Sequence, residues 1–427
     1  MTKKLLALSI SALMTSGAAF AENIVNADTT NKEVYDIHEF FSEQGNRVKL
    51  QFPIEQAAFA WQNLSRFYPT AMIERDGEVI NLPYKFNDDI GKVKATVKGE
   101  TKTLNEHLDS NPVDGFLVIK DGEIVFERYN TMRKTDKHNW FSNSKITAGI
   151  ELAKLVNSGK VDPDDVVSNY IPELKGSVWD TVKVIEVANQ ATGLNATEHD
   201  EPTADSRTNP DQPFFKWIVS IGVFEGESQK MPLDVLAEMK RRTKGGQTFE
   251  YNSINTFILS RIVENVRGLP FNEILSDDIW KHMGANNDAY TVVSPKGGYP
   301  LMFFSMNSTL EDMAKFGMLL TPSGAKLGTA HISSDVVKII QESGDPSAFG
   351  GGYVGKMMQN SFYNDKDLKN GYMFDTIFDD GDLFKAGVGG QGIYISPEKD
   401  LVVAFFSTGD GSNQEESYAR EIARYFK

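Results

Sequence analysis

The first clear alternation of apolar and polar positions in the chain is a pair of runs, Phe116-Leu-Val-Ile-Lys120 and Glu123-Ile-Val-Phe-Glu-Arg-Tyr129. Asp121-Gly122 stands between them, a dipeptide suited to the left-handed positions of a tight turn, so the runs predict an antiparallel hairpin. A polar linker follows. From Ser142 to Leu155 the apolar residues Ile146, Ile150, Leu152 and Leu155 fall at helical spacing, which predicts a helix packed by one face, with Ser142 in its first turn. Residues from about 156 to 300 read as mostly helical, with long polar connections such as Asn195 to Gln212 and a strong amphipathic stretch from Asn255 to Val266. Strands return near the end, where Gly392 to Ser396 and Leu401 to Ser407 flank the turn Pro397-Glu-Lys-Asp400, and Glu416 to Phe426 closes as a helix. Residues 22 to about 48 are polar and lack a sustained period, so they read as an extension.

Strand pair, helices, strand pair, helix is the order of an α+β fold, in which one antiparallel sheet takes strands from the N- and C-terminal segments and is flanked by helices. The expected divisions are an extension and lead-in over 22–100 and one domain over 101–427. Within that domain the sheet portion covers about 101–155 and 301–427, and a mostly helical lobe covers about 156–300. Ahead of all this, Lys3 and Lys4 precede an apolar run from Leu5 to Met14 and the small-residue site Ala19-Phe20-Ala21, the pattern of a signal peptide over residues 1–21 cut after Ala21. The apolar run is too short to span a bilayer, so the expectation is a periplasmic or secreted protein without a membrane anchor after cleavage.

Composition narrows the chemistry. The formal charge is −15, and loss of residues 1–21 removes two lysines and no acid, which makes the remainder −17. An acidic surface repels phosphate backbones, so nucleic acid is not an expected partner. The basic run Lys240-Arg241-Arg242-Thr243-Lys244 closes a helical pattern before Gly245-Gly246, where cations complement a helix dipole. There is no cysteine, which excludes disulfides, thiolate metal sites, a cysteine nucleophile and a lipid-modified N-terminal cysteine. The core alone must stabilise the fold, and 40% hydrophobic residues are ample for that.

A serine hydroxyl needs a base within hydrogen-bond reach to act as a nucleophile at neutral pH. Ser142-Asn143-Ser144-Lys145 provides one, because residues i and i+3 share a helical face. The amine has to be neutral, through burial and the positive field of a helix N-terminus. The same four-residue spacing recurs at Ser323 to Lys326 and at Ser396 to Lys399, both of which read as turns that do not fix the serine beside the lysine. Only Ser142 opens a helix after a hairpin. Two further features support it. Tyr251 stands on a turn just before the amphipathic helix, a position that can project a phenol into a cleft. The glycines of Lys385-Ala-Gly387-Val388-Gly389-Gly390-Gln391 let a backbone pass close to a substrate, and an N–H there can donate to a developing oxyanion.

With these motifs in order, the chain resembles the serine β-lactamase and penicillin-binding superfamily, in the branch that holds class C β-lactamases, DD-carboxypeptidases, esterases and 6-aminohexanoate-dimer hydrolases. Trp140-Phe-Ser142-Asn-Ser-Lys145 is similar to the first motif, Gly159 to Leu174 to the segment after it, and Val184 to Leu194 to the next helix and its loop. Asn63-Leu-Ser-Arg-Phe-Tyr-Pro-Thr70 and Gly387-Val-Gly-Gly390-Gln391 resemble the dimer-hydrolase-like members. The resemblance implies a β-lactamase-like fold and an acyl-enzyme on Ser142, with Lys145 as base and Tyr251 as proton relay. It also implies an oxyanion hole from the backbone N–H groups of Ser142 and Val388, and no cofactor or metal.

Two departures bear on the substrate. Ser253 stands where β-lactamases carry asparagine two residues after the tyrosine, so Asn252, Ser253 or Asn255 is expected to hold the substrate amide. Counted back from Gly389-Gly390, the family's third-motif lysine falls on Phe384, one residue before Lys385. Lys385, Gly387, Gly389 and Gly390 stay as candidate substrate-binding residues, and the shift ranks β-lactams below general amides and esters. The expected partner is a small-molecule or short peptide-like amide or ester, with oligomeric state open. The alternative readings are a ligand-binding or cell-wall-interacting protein of the same fold without turnover, and a β-lactamase or DD-peptidase. His199-Asp200-Glu201 reads as a polar loop in place of a metal site, and the Asn195 to Gln212 loop is a candidate border of the cleft. No Gly-x-Ser-x-Gly elbow and no phosphate-binding glycine loop is present.

Overall fold

The computed structural model describes residues 31–199, 206–330, 332–412 and 414–426. The hairpin predicted from Asp121-Gly122 is formed by strands Val113–Lys120 and Glu123–Tyr129. Both turn residues have positive φ, 54° and 75°, the values a tight turn between right-twisted strands demands. This hairpin is one edge of a seven-stranded antiparallel sheet. Strand Val113–Lys120 pairs with Leu401–Ser407, which is followed across the sheet by Gln391–Ser396, Leu383–Gly387, Phe374–Ile377 and Lys369–Gly371. The chain is therefore α+β, with one sheet built from segments near its two ends, as the order of patterns predicts. Three strands between 369 and 387 are additions to that prediction.

Nearly every residue of the central strands is buried, because both sheet faces are covered. Leu117, Ile119, Val402, Ala404 and Phe406 face one apolar cluster, which also holds Ile146, Ile150 and Leu152 of helix Lys145–Asn157. Phe116, Val118, Val403 and Phe405 face a second cluster with Tyr418, Ala419 and Ile422 of helix Glu415–Tyr425. Alternation with period two thus sends successive side chains into different cores.

The stretch read as an extension is not patternless throughout. Residues Asn31–Ser42 form a helix that buries Ile37 and Phe41 in the first cluster. Phe40, Phe41 and Phe67 pack edge to face there, with aromatic contacts supplying what a clean amphipathic period does not. A second sheet, Thr70–Ile73, Ala289–Val292, Asn307–Ser308 and His138–Asn139 in that order, ties the lead-in to the segment just before Ser142. One of its strands lies within 156–300, so that stretch is not helical throughout. The expected signal peptide, residues 1–21, lies outside the described residues. Among the described residues no helix is long and apolar enough to cross a membrane.

The basic run 240–244 also differs from expectation. The preceding helix ends at Ala237, and the run is extended: Asn195 N–H donates to the Lys240 carbonyl at 2.9 Å, and Arg242 N–H to that of Gly193 at 2.8 Å. Arg241 donates to the carbonyls of Thr192 and Thr181 and to Glu186. The backbone of the run and the Arg241 guanidinium clamp the loop at 192–195 where a helix cap was expected.

Candidate active site

Ser142 lies in a 3₁₀ turn, Phe141–Ser144, that leads directly into helix Lys145–Asn157. Phe141 takes φ of 46°, an unfavourable value for a bulky residue, held by Trp61 edge-on to its ring at 4.6 Å and by its N–H donating to Asn139 Oδ1 at 3.2 Å. Around the serine nearly everything is buried, while Ser142 itself is partly exposed. The next turn brings Lys145 back beneath it. Its Nζ donates to Ser142 Oγ at 3.1 Å and to the carbonyl of Phe303, and lies 5.1 Å from the centre of the Tyr251 ring. Burial pulls this amine down from the ordinary lysine range to about 7, against the opposing charge of Glu198 and with the help of the Lys385 charge. A neutral amine in contact with a serine hydroxyl can accept its proton.

Tyr251 arrives two residues before helix Ser253–Arg267, which starts earlier than the apolar period suggests because Asn252 caps it. The segment is pinned from both sides: Glu250 N–H donates to the Gln190 carbonyl at 2.9 Å, Asn252 N–H to Gln190 Oε1 at 2.8 Å, and Glu198 N–H to the Tyr251 carbonyl at 3.2 Å. The Ser142 side chain is near enough to the Tyr251 phenol to lower its pKa slightly. Burial and the nearby carboxylates Asp375 and Glu198 raise the phenol well above its usual range, so it stays protonated.

Lys385 corrects the register drawn from the glycines. It sits on strand Leu383–Gly387, fully buried, and its Nζ donates to Tyr251 Oη at 3.2 Å and to Asp375 Oδ1 at 2.6 Å. The lysine of this strand is thus at the phenol, with Gly387 two residues on as the partner that fixes its register. Gly387 has to be glycine, because a Cβ there stands only 2.9 Å from the Trp140 carbonyl oxygen and 3.0 Å from the Asn143 amide. The end of the strand is thereby pressed against the turn that bears Ser142. Gly389 has φ of 86° and lies on the Trp61 ring. Gly390 has φ of 88°. The Gln391 amide braces the loop, donating to the Val388 carbonyl at 3.2 Å and to that of Ser407, and accepting from Ser407 N–H at 2.9 Å.

Other candidates are placed differently. The Asn252 side chain is spent on structure, accepting from Ile254 N–H at 3.0 Å and donating to the Ala196 carbonyl. Ser253 N–H donates to Glu198 Oε1 at 2.6 Å. Asn255 is buried in the helix, and its amide makes no hydrogen bond among the described residues. Sequence reading left out Glu198 and Asp375. Burial pushes the Glu198 carboxyl up, but Lys145, Arg207, His199 and the Ser253 side chain together hold it below its ordinary value. The loop from 195 therefore does border the site. His199 lies beside Tyr353 and Tyr251, its ring tilted to both with ring centres 5.0 and 6.5 Å away, and Asp200 and Glu201 lie outside the described residues. No group of three or more acidic or histidine side chains among the described residues is arranged to hold a metal ion.

Comparison with known proteins places this geometry. The chain is 26% identical over 310 residues to a 6-aminohexanoate-dimer hydrolase of Paenarthrobacter ureafaciens, which covers 71% of this chain and 75% of that protein. Its fold is similar to the structure of a "Putative 6-aminohexanoate-dimer hydrolase from Bacillus anthracis", with a TM-score of 0.70 at 20% identity over 86% of this chain and 92% of that one. A class C β-lactamase structure matches with a TM-score of 0.54 at 15% identity, over 76% and 93%. Residues 102–425, which include every side chain of the Ser142 cluster, match the Beta-lactamase family, and the chain belongs to that family.

Proposed function

We propose that this chain is a serine hydrolase that cleaves an amide or ester bond through an acyl-enzyme on Ser142. The observation that carries the reading is the buried Lys145 amine, lowered to about 7 and 3.1 Å from Ser142 Oγ. Ser142 Oγ attacks the acyl carbon while its proton passes to Lys145 Nζ. The oxyanion that forms takes hydrogen bonds from the backbone N–H groups of Ser142 and Val388, donors aimed at charge that exists only after attack. Collapse breaks the bond to the leaving group, which takes the Tyr251 proton as Tyr251 regains one from Lys145. Water then attacks the acyl-enzyme by the reverse proton path and releases the acid. The substrate is a small or short peptide-like amide or ester. The dimer-hydrolase and β-lactamase relatives support amides, and the pairing of Lys385 with Asp375 supports placing β-lactams lower. In this reading the enzyme works in the periplasm or outside the cell, after removal of residues 1–21.

A fluorophosphonate probe tests the nucleophile. Labelling is expected in the unaltered chain and absent in Ser142→Ala, and labelling that persists in Ser142→Ala would falsify the assignment. A panel of p-nitrophenyl esters, nitrocefin, a D-Ala-D-Ala peptide and a linear amide oligomer then ranks the substrate classes, with esters and the linear amide expected above nitrocefin.

A further inference from the structure

Asp375 is a buried carboxylate that the proton path above leaves unused. It lies on strand Phe374–Ile377, whose register with Leu383–Gly387 pairs Thr376 with Phe384 and so sets Asp375 opposite Lys385. Both side chains are almost wholly buried. One carboxylate oxygen accepts from Lys385 Nζ at 2.6 Å, and the other from the N–H of Ala386 at 3.1 Å. The second bond aims the first, since a carboxylate fixed at one oxygen presents the other in a set direction. Lys385, held in this way, donates onward to Tyr251 Oη at 3.2 Å, its ammonium 4.8 Å from the centre of the ring.

A lone ammonium one hydrogen bond behind the phenol projects a positive field into the cleft through low-dielectric protein, and that field favours substrates carrying an anion beside the scissile bond. A carboxylate at 2.6 Å turns the charge into a short dipole whose field fades quickly. The other titratable groups around the phenol, Lys145, Arg207 and Glu198, with His199 beside Glu198, include both bases and an acid, so no single sign dominates. We propose that Asp375 is a positioning and specificity-determining residue: it fixes Lys385 against Tyr251 and cancels the charge that otherwise selects anionic substrates. The inference rests on the reading of Ser142, Lys145 and Tyr251 as a hydrolytic centre, and it adds that the group next to the cleaved bond is uncharged.

Two esters of equal acyl length test it, p-nitrophenyl pentanoate and the p-nitrophenyl monoester of glutaric acid. The unaltered enzyme is expected to prefer the neutral ester. At pH 6, where a buried amine such as Lys145 keeps its proton, Asp375→Asn should raise the anionic-to-neutral ratio of kcat/KM by about tenfold, chiefly through KM for the anionic ester. Asp375→Glu, which keeps the charge, should stay near the original ratio. A purely structural role lowers both esters alike and leaves the ratio where it was; that result, with Ser142 labelling intact, overturns the inference. If Asp375→Asn does not fold, the double variant Asp375→Asn with Lys385→Gln carries the test. Its ratio should lie within about twofold of the original, since both charges are gone, and a tenfold shift overturns the proposal. Absence of Ser142-dependent labelling in the unaltered chain overturns the hydrolase reading instead.

Discussion

The same four-residue spacing occurs at Ser142–Lys145 and at Ser323–Lys326, and the two copies meet different fates. Both serines lie in 3₁₀ turns, Phe141–Ser144 and Pro322–Lys326, but only the first runs on into a helix, Lys145–Asn157. At the second copy Ser323 donates its hydroxyl to the Asp400 carboxylate and its N–H to the same group at 3.0 Å. Lys326 is exposed and donates to the Asp121 carbonyl at 2.7 Å. At the first copy no carboxylate among the described residues contacts the serine, and the lysine is almost fully buried against it. Spacing brings a hydroxyl and an amine to one side of a turn. Burial decides whether the amine can take a proton, and the hydroxyl's other partners decide whether it is free to give one.

Exchanging each lysine for methionine is the most direct way to break this comparison. Lys145→Met should lower kcat/KM for a p-nitrophenyl ester by about 10²–10⁴, the usual contribution of a general base, whereas Lys326→Met should leave it within about twofold. Equal losses at both sites would mean that the burial contrast has no bearing on chemistry. The pH profile sharpens the contrast further. With Lys145 as the proposed base, neutral only above about 7, kcat/KM should fall about tenfold for each pH step well below 7 and level off above it. A flat profile from pH 5 to 9 contradicts Lys145 as the base.

The smallest effect concerns stability, and its sign is opposite to the effect on rate. Folding lowers the Lys145 pKa from 10.5 to about 7, so between these values the unfolded chain binds a proton that the folded chain does not. Stability then rises with pH from about 7 to 10.5, and below 7 the cost of a buried ammonium is fully present. Lys145→Met should therefore stabilise the fold, by about 1–2 kcal/mol at pH 6 and by less at pH 9, in urea or thermal unfolding. Lys326→Met should change it by less than about 0.5 kcal/mol at either pH.

Much of this site was open to sequence reading because its parts are local. Ser142 and Lys145 share one turn, Tyr251 directly precedes a capped helix, and Asp121-Gly122 announces its hairpin. Lys385 was misplaced because its register was counted from Gly389 and Gly390, which serve the loop braced by Gln391, and not from Gly387, which packs against the Ser142 turn. Asp375 had a usable signal. Asp380-Gly381 lies between two apolar runs just as Asp121-Gly122 does, and folding the chain about it sets 375 opposite 385. Glu198 had none, since its place depends on where a long polar loop comes to rest on helix Ser253–Arg267. The helix at Asn31–Ser42 was missed for a related reason: its buried face is mainly Ile37 and Phe41, too few apolar positions to stand out among polar ones.

The pairing of strand Val113–Lys120 with Leu401–Ser407 sets a schedule for making the protein. Its partners are nearly three hundred positions apart, so during synthesis the earlier strand keeps one edge open until almost the whole chain has left the ribosome. The newborn chain is therefore prone to sticking until the later strand arrives and closes the sheet.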